Sequence, residues 1–166
     1  MNFLPAAIVQ WLHLLAFTIW VGGISYVSLV LTPSLETLDA SSQRKLMNVV
    51  SARFTKVTWV GIVTLLVTGI MKSAIKVPSL NELFTSPYGV VLLTKHLLLL
   101  VMIVLSIVIA LTISPKLSLK TDAGTHMELS RASLKALKQL RKLTMLNLFL
   151  GGLVLLLSAS LGIIGG

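Results

Sequence analysis

The chain alternates long apolar runs with short, basic polar segments. An uncharged run of about 18 residues or more is typical of a membrane-spanning helix. A fourth, shorter run, Val57 to Met71, has 15 residues between Lys56 and Lys72, and both lysine side chains can extend towards the membrane boundary. The pattern therefore predicts four membrane helices, three of them from the uncharged runs Ala6 to Leu31, Leu97 to Ile113 and Leu143 to Gly166.

These helices predict an all-α fold, an integral membrane four-helix bundle. We expect residues 1–166 to form a single transmembrane domain, with helices at about 6–32, 42–75, 88–114 and 125–165. Membrane strands would need an alternating pattern and a closed barrel, and the sequence does not alternate. The first apolar run has no basic segment before it and no small-residue cleavage site after it, so we interpret it as a membrane helix and not as a removed signal peptide.

The basic residues predict how the bundle is oriented. Four lysines and arginines fall between the first and second helices and seven between the third and fourth, against only Lys72 and Lys76 between the second and third. The positive-inside rule then places the first and third loops in the cytoplasm and both termini outside, in a multi-pass plasma-membrane protein. The basic loops suit anionic lipids at the cytoplasmic face. The basic residues are not interleaved with aromatic residues and no nucleic-acid motif lies beside them, so no nucleic-acid partner is expected.

A weak internal repeat relates the two halves of the chain. The segment HLLAFTIWVGGISYVSLVLTPSL aligns with HLLLLVMIVLSIVIALTISPKL, which places His13 on His96 and Pro33 on Pro115 with one residue of slack. This predicts two tandem helical hairpins related by an axis along the membrane normal.

Two histidines within the apolar runs are the main candidates for chemistry. His13 lies seven residues after Ala6 and His96 seven after Gly89, which places each about 10 Å below the same membrane boundary. An ionisable residue at this depth is by default a functional-site hypothesis. One alternative is that each histidine only bonds a neighbouring helix through Gln10, Asn147 or Ser158, but a matched pair on parallel helices favours a shared ligand.

The ligand that best suits this pair is a b-type haem. Two neutral imidazoles can ligate haem iron from opposite faces, and the macrocycle is mostly apolar. The absence of cysteine excludes covalently attached haem, iron–sulfur clusters and thiolate metal sites. Lys95, next to His96, can reach a haem propionate or the lipid headgroups.

Four further residues are candidate contacts of the ring. Phe17 and Trp20 lie four and seven residues after His13, on its face of the helix. Gly22 and Gly23 would let the backbone approach a flat ligand, although close helix packing explains them equally well.

Copper is the rival ligand. Soft copper sites use cysteine and methionine, and the six methionines are scattered without a paired spacing. Met102, six residues after His96, is the methionine nearest in sequence to either histidine in an apolar run.

Two stretches resemble a known family. LHLLAFTIWVGGISYVSLVL resembles the first helix of the copper-resistance protein D (CopD) family, and SPYGVVLLTKHLLLLVMIVLSIVIA resembles its outer turn, glycine, lysine and apolar run. That resemblance implies copper handling. The positions that match are His13, Trp20, Gly22, Gly23, Tyr88, Gly89 and Lys95.

A related group of four-helix membrane protoporphyrinogen oxidases combines a histidine on the first helix with a lysine on the third. His13 and Lys95 match that pattern, and this similarity implies haem binding. His96 is a regular part of neither family pattern, so it is a second strong ligand particular to this chain.

The sequence therefore predicts a cytochrome b-like membrane protein with bis-histidine haem that transfers electrons to a redox partner. The alternatives are a copper transport or copper-resistance protein, a protoporphyrinogen oxidase-like enzyme, and a cofactor-free assembly subunit of a larger membrane complex. The sequence leaves open whether the chain acts alone, as a homo-oligomer or within such a complex.

Overall fold

The computed structural model describes residues 3–76, 80–113 and 126–164, and within them its regular secondary structure is entirely helical. This confirms the predicted all-α fold. Four helices in this described part of the chain are long and apolar enough to cross a membrane, which makes the chain a multi-pass membrane protein. They are Leu4–Glu36, Ser41–Ser73, Pro87–Ile113 and Lys135–Ile163. The helix ends predicted at 114, 125 and 165 lie outside the described residues.

The helices are numbered in chain order. The long helices α3 and α6 each run without a break from a basic loop into the apolar part of the bundle. The bounds are α1 Phe3–Tyr26, α2 Thr32–Glu36, α3 Ala40–Lys76, α4 Leu80–Thr85, α5 Pro87–Val108 and α6 His126–Ile164, with π-helical segments at Val27–Leu31 and Ile109–Ile113.

Both π-helical segments precede a proline. Val27–Leu31 ends two residues before Pro33, and Ile109–Ile113 ends two residues before Pro115. Proline lacks the amide hydrogen for a helical bond and its ring crowds the carbonyl four residues earlier. At Pro33, which lies in α2, a wider turn upstream relieves this clash. In the first segment the Thr32 hydroxyl also donates to the Val27 carbonyl oxygen at 2.7 Å. The same local feature thus follows His13 and His96 at nearly the same distance along the chain.

The helices pack as two hairpins. Helix α1 packs against α3, α5 against α6, and α1 also contacts α6, while α4 folds back onto α5. We call the end where α1 and α5 begin the terminal end of the bundle, and the opposite end the loop end. Large apolar side chains such as Val60, Leu97, Phe149 and Ile163 remain exposed on the surface, as expected where lipid replaces water.

Two buried clusters hold the hairpins together. The cluster at the loop end includes Leu35, Met47 and Leu137. The middle cluster includes Trp20, Leu65, Met102 and Val154. The terminal end has no comparable cluster among the described residues, and a cavity lies there instead.

An aspartate caps the start of α3. Asp39 Oδ1 accepts hydrogen bonds from the backbone N–H groups of Ser41 at 2.9 Å and Ser42 at 3.1 Å. Hydrogen bonds from Ser42, first from its side chain and then from its backbone, hold the pKa of Asp39 below its usual range. Because the folded-state pKa is lowered, the cap stabilises the helix at neutral pH and is lost as the pH falls through that pKa.

The junction between α4 and α5 fixes where α5 begins. The Ser86 side chain accepts a hydrogen bond from the Gly89 backbone N–H at 2.9 Å, and Pro87 occupies the first turn. A Cβ on Gly89 would collide with the backbone of Glu82 and Leu83. The close contact therefore requires glycine and sets the position of the α5 residues that follow.

Candidate functional site

A cavity of about 570 Å³ opens at the terminal end, between the two hairpins. Helices α1, α3, α5 and α6 all contribute to its walls. Its size falls within the range of small-molecule and cofactor sites. The polar residues that line it are Gln10, His13, Lys72, Ser73, Tyr88, Lys95, His96 and Ser158.

A threonine on α3 orients the imidazole of His13. His13 Nδ1 lies 2.7 Å from Thr68 Oγ1, and the Thr68 hydroxyl gives its only hydrogen to the Thr64 carbonyl oxygen at 2.6 Å. The hydroxyl oxygen must therefore accept from His13. Nδ1 then carries the hydrogen, and Nε2 has the free lone pair.

A backbone carbonyl orients His96 in the same way. His96 Nδ1 lies 2.7 Å from the carbonyl oxygen of Leu92, one turn earlier on α5. A carbonyl oxygen can only accept, so Nδ1 carries the hydrogen and Nε2 again has the lone pair. Metal-bound histidines are commonly supported by such a hydrogen bond from the second ring nitrogen. Both histidines of the cavity thus have Nε2 available as a ligand.

The charged groups of the cavity are cationic. Lys72 and Lys95 line it, and none of the described residues that line it is acidic. Both ammonium groups share this lining with His13 and His96. Like charges in one cavity favour an anionic partner and oppose a bare metal cation.

The remaining walls are mostly apolar. Phe17, Leu65, Leu99 and Val154 line the cavity alongside the polar residues. Gly69 lies against His13, where a Cβ would sit 3.6 Å from His13 Cε1, so α3 runs close beside the imidazole. The cavity combines an apolar interior, two imidazoles and two ammonium groups, which suits a flat apolar ligand that carries carboxylates.

Four of the predicted site residues come together in this cavity, namely His13, Phe17, Lys95 and His96. The sequence analysis missed Thr68, which orients His13. It also placed Lys72 only at the membrane boundary. The sequence contained a signal for both residues. Residues 68 and 72 are four apart, so they share one face of the helix.

Three of the predicted site residues lie elsewhere. Trp20 is buried in the middle cluster, about 10 Å further along α1 than His13. A Cβ on Gly22 would meet no atom within 4 Å, and one on Gly23 would meet the ring of Phe54 on α3. None of these three is among the described residues that line the cavity. Trp20 lies too deep along α1, and the rotation of α1 directs Gly22 and Gly23 away from the cavity.

The hydrogen-bond partners that the sequence analysis named for the histidines also differ from those in the structure. Gln10 and Ser158 line the cavity, but the hydrogen bond of His13 goes to Thr68. Asn147 lies deeper, where its Nδ2 donates to the Met102 carbonyl oxygen at 3.3 Å.

The described residues contain no group of three or more histidine, cysteine, aspartate or glutamate side chains that could hold a metal ion. A bare ion at this cavity would have two imidazoles as strong protein ligands. A metal that is already held by the four nitrogens of a porphyrin needs only two axial ligands. The available nitrogen atoms therefore fit a haem more completely than a bare ion.

We expect Thr68→Val to weaken ligand retention by about 10- to 100-fold, the usual effect of losing a supporting hydrogen bond of a metal-bound histidine. Valine keeps the volume of threonine but cannot accept from His13 Nδ1. If the ligand is a haem, its loss to apomyoglobin would measure the change. Thr64→Val is the matched control, because Thr64 donates to the Val60 carbonyl oxygen on the same helix. Equal loss rates in the two variants would contradict the role of Thr68.

Comparison with known families gives one match. The family described as Copper resistance protein D matches residues 48–161, which is more than half of the chain and includes Thr68, Lys72, Lys95 and His96. His13 lies before the matched range. No curated protein and no solved structure matches.

Proposed function

The chain belongs to the copper resistance protein D family, and we propose that it holds a b-type haem between His13 and His96 and transfers electrons to a redox partner. The observation that carries this proposal is that the two imidazoles use the same ring nitrogen, Nδ1, for their hydrogen bonds. Each donates from Nδ1, to Thr68 and to the Leu92 carbonyl oxygen respectively, and both line one cavity. Each Nε2 is therefore available to a shared metal centre.

The other residues of the cavity suit the remaining parts of a haem. Its apolar walls would pack against the macrocycle, and Lys72 and Lys95 would attract the propionate carboxylates. Lys95 then tunes the site and does not ligate iron, because an ammonium group must first lose its proton whereas a neutral imidazole need not. A bound haem would supply one-electron chemistry, while the protein supplies the axial nitrogens and the cationic surroundings.

Copper handling is the second candidate function, and family membership favours it. Imidazole nitrogens are suitable copper ligands, so His13 and His96 could receive a copper ion as cargo. The two lysines and the volume of about 570 Å³ favour a larger, anionic ligand instead.

A protoporphyrinogen oxidase-like activity would use the same cavity. Its substrate is also a flat tetrapyrrole with carboxylates, and His13 and Lys95 of the family resemblance both line the cavity. Turnover of added porphyrinogen by the purified protein is the result that would favour this enzyme over an electron carrier.

Metal and haem analysis of protein purified from cells supplied with both iron and copper tests the proposal. We expect iron and haem in equal amounts and no stoichiometric copper. His126→Ala is the matched control and should keep the haem, because α6 begins at His126, at the loop end. Copper without haem would favour the second candidate, and neither metal would contradict both.

We further propose that both termini face outside and that the two basic loops face the cytoplasm. The eleven-to-two distribution of basic residues supports this orientation, and it places the cavity at the outer side. Tags after Gly166 and within residues 118–123 should be labelled from outside and from inside, respectively, in intact cells. Cytoplasmic labelling of the tag after Gly166 would contradict the orientation.

A further inference from the structure

A second, smaller cavity lies between the two buried clusters. It measures about 70 Å³, and helices α1, α3, α5 and α6 border it. Three buried polar atoms on its lining residues have no hydrogen-bond partner within the described part of the chain: Trp20 Nε1, Thr58 Oγ1 and Asn147 Oδ1. Trp20 and Asn147 are each only 1% exposed. Buried polar atoms of this kind normally have a partner.

The orientation of the Asn147 amide is fixed by α5. Its Nδ2 donates to the Met102 carbonyl oxygen at 3.3 Å and to Ser106 Oγ at 3.1 Å. Ser106 Oγ uses its own hydrogen on the Met102 carbonyl oxygen at 3.0 Å, so it accepts from Asn147. A flipped amide would place its oxygen against that carbonyl oxygen. Oδ1 is therefore the atom left without a partner.

Thr58 also differs from its neighbours. The hydroxyls of Thr64 and Thr68 on α3, and of Thr144 across the cavity, donate to carbonyl oxygens one turn earlier. Thr58 Oγ1 has no such bond within the described residues. A hydroxyl left this way in an apolar interior is costly, so the cavity needs an occupant that bonds to it.

The unpartnered atoms define the chemistry of that occupant. The indole Nε1–H of Trp20 can only donate, which opposes a cation. The amide Oδ1 of Asn147 can only accept, which opposes an anion. The occupant must therefore be neutral and able both to donate and to accept, as water is. A volume of about 70 Å³ exceeds the roughly 10–15 Å³ that one water molecule needs, so the cavity has room for water.

We propose that water molecules bind in this cavity and link Trp20 and Thr58 of the first hairpin to Asn147 of the second. Asn147 is tied to α5 through Met102 and Ser106, so the waters complete a polar connection through all four long helices. This connection lies one layer below the larger cavity and holds the two hairpins that form it. The inference does not depend on the identity of the ligand in the larger cavity.

Thr58→Val tests the proposal through the sign of the change in thermal stability. If water is bound, the variant removes a partner from it, and we expect the Tm in detergent to fall by about 2–4 °C. If the cavity were dry, the same change would remove an unsatisfied hydroxyl and raise the Tm. Thr144→Val is the control, since Thr144 lines the same cavity but its hydroxyl already donates to the Leu140 carbonyl oxygen.

Magnetic resonance of protein labelled with ¹⁵N-tryptophan observes the waters directly. Trp20→Phe assigns the buried indole, which separates it from Trp11 and Trp59, both exposed on the surface. We expect a cross-peak between the Trp20 indole N–H and long-lived water. Either the absence of this cross-peak or a rise in Tm for Thr58→Val would overturn the proposal.

Discussion

The double variant of His13→Ala and His96→Ala should purify without haem, whereas each single variant should retain a five-coordinate haem that is lost more readily. The reason is that His13 and His96 would each hold the haem iron through Nε2, and the apolar walls with Lys72 and Lys95 would still bind the rest of the group. The double variant should also unfold at a lower temperature than the haem-loaded protein, because a ligand bound only by the folded state adds stability by mass action.

Added imidazole makes this test specific for ligation. In either single variant the missing side chain leaves room beside the metal, so free imidazole should restore the six-coordinate spectrum. In His126→Ala, imidazole should change nothing. A six-coordinate low-spin spectrum that persists in both single variants without added imidazole would contradict the assignment of the ligands.

The second large effect is expected from Gly89→Ala. The new Cβ would lie 2.6 Å from the Leu83 carbonyl oxygen and 2.7 Å from Leu83 Cα, and it would also meet the Glu82 carbonyl oxygen. Backbone atoms cannot move aside as a flexible side chain can, so α4 must shift away from α5. We expect a loss of about 1–3 kcal/mol in the free energy of unfolding, together with faster haem loss, because α5 carries Lys95 and His96.

Gly22→Ala is the matched control for this change. A Cβ at Gly22 would meet nothing within 4 Å, and alanine favours a helix over glycine, so the variant should be neutral or more stable by up to about 1 kcal/mol. Thermal unfolding of both variants in the same detergent measures the difference. Equal transition temperatures would show that the contact between Gly89 and α4 does not hold α5 in place.

The fold was largely predictable from the apolar runs. A lipid-exposed segment must satisfy all its backbone hydrogen bonds internally, so uncharged runs of sufficient length leave the helix as the main choice. The short run Val57 to Met71 was also correctly assigned, since α3 continues through Lys56 and Lys72 at both ends. The two π-helical segments were not predicted, because apolar patterns do not report which carbonyl a backbone N–H selects.

The candidate site was predictable only in part. The depth of a residue along a helix follows from residue counts. On that basis His13 and His96 were expected at the same depth, and in the structure both line one cavity. The rotation of each helix about its axis depends on packing between hairpins, which a single sequence does not contain. Trp20 was therefore assigned to the ligand although it lies in the middle cluster, and Thr68 was missed although it orients His13.

The most direct measurement of the proposed bis-histidine haem site is the reduced-minus-oxidised absorption spectrum of the wild-type protein, purified from cells that are replete in both haem and copper. The account predicts an intense Soret band with sharp α and β bands, as given by a six-coordinate low-spin haem between two imidazoles. A protein that binds copper through His13 and His96 and shows no Soret band would contradict it.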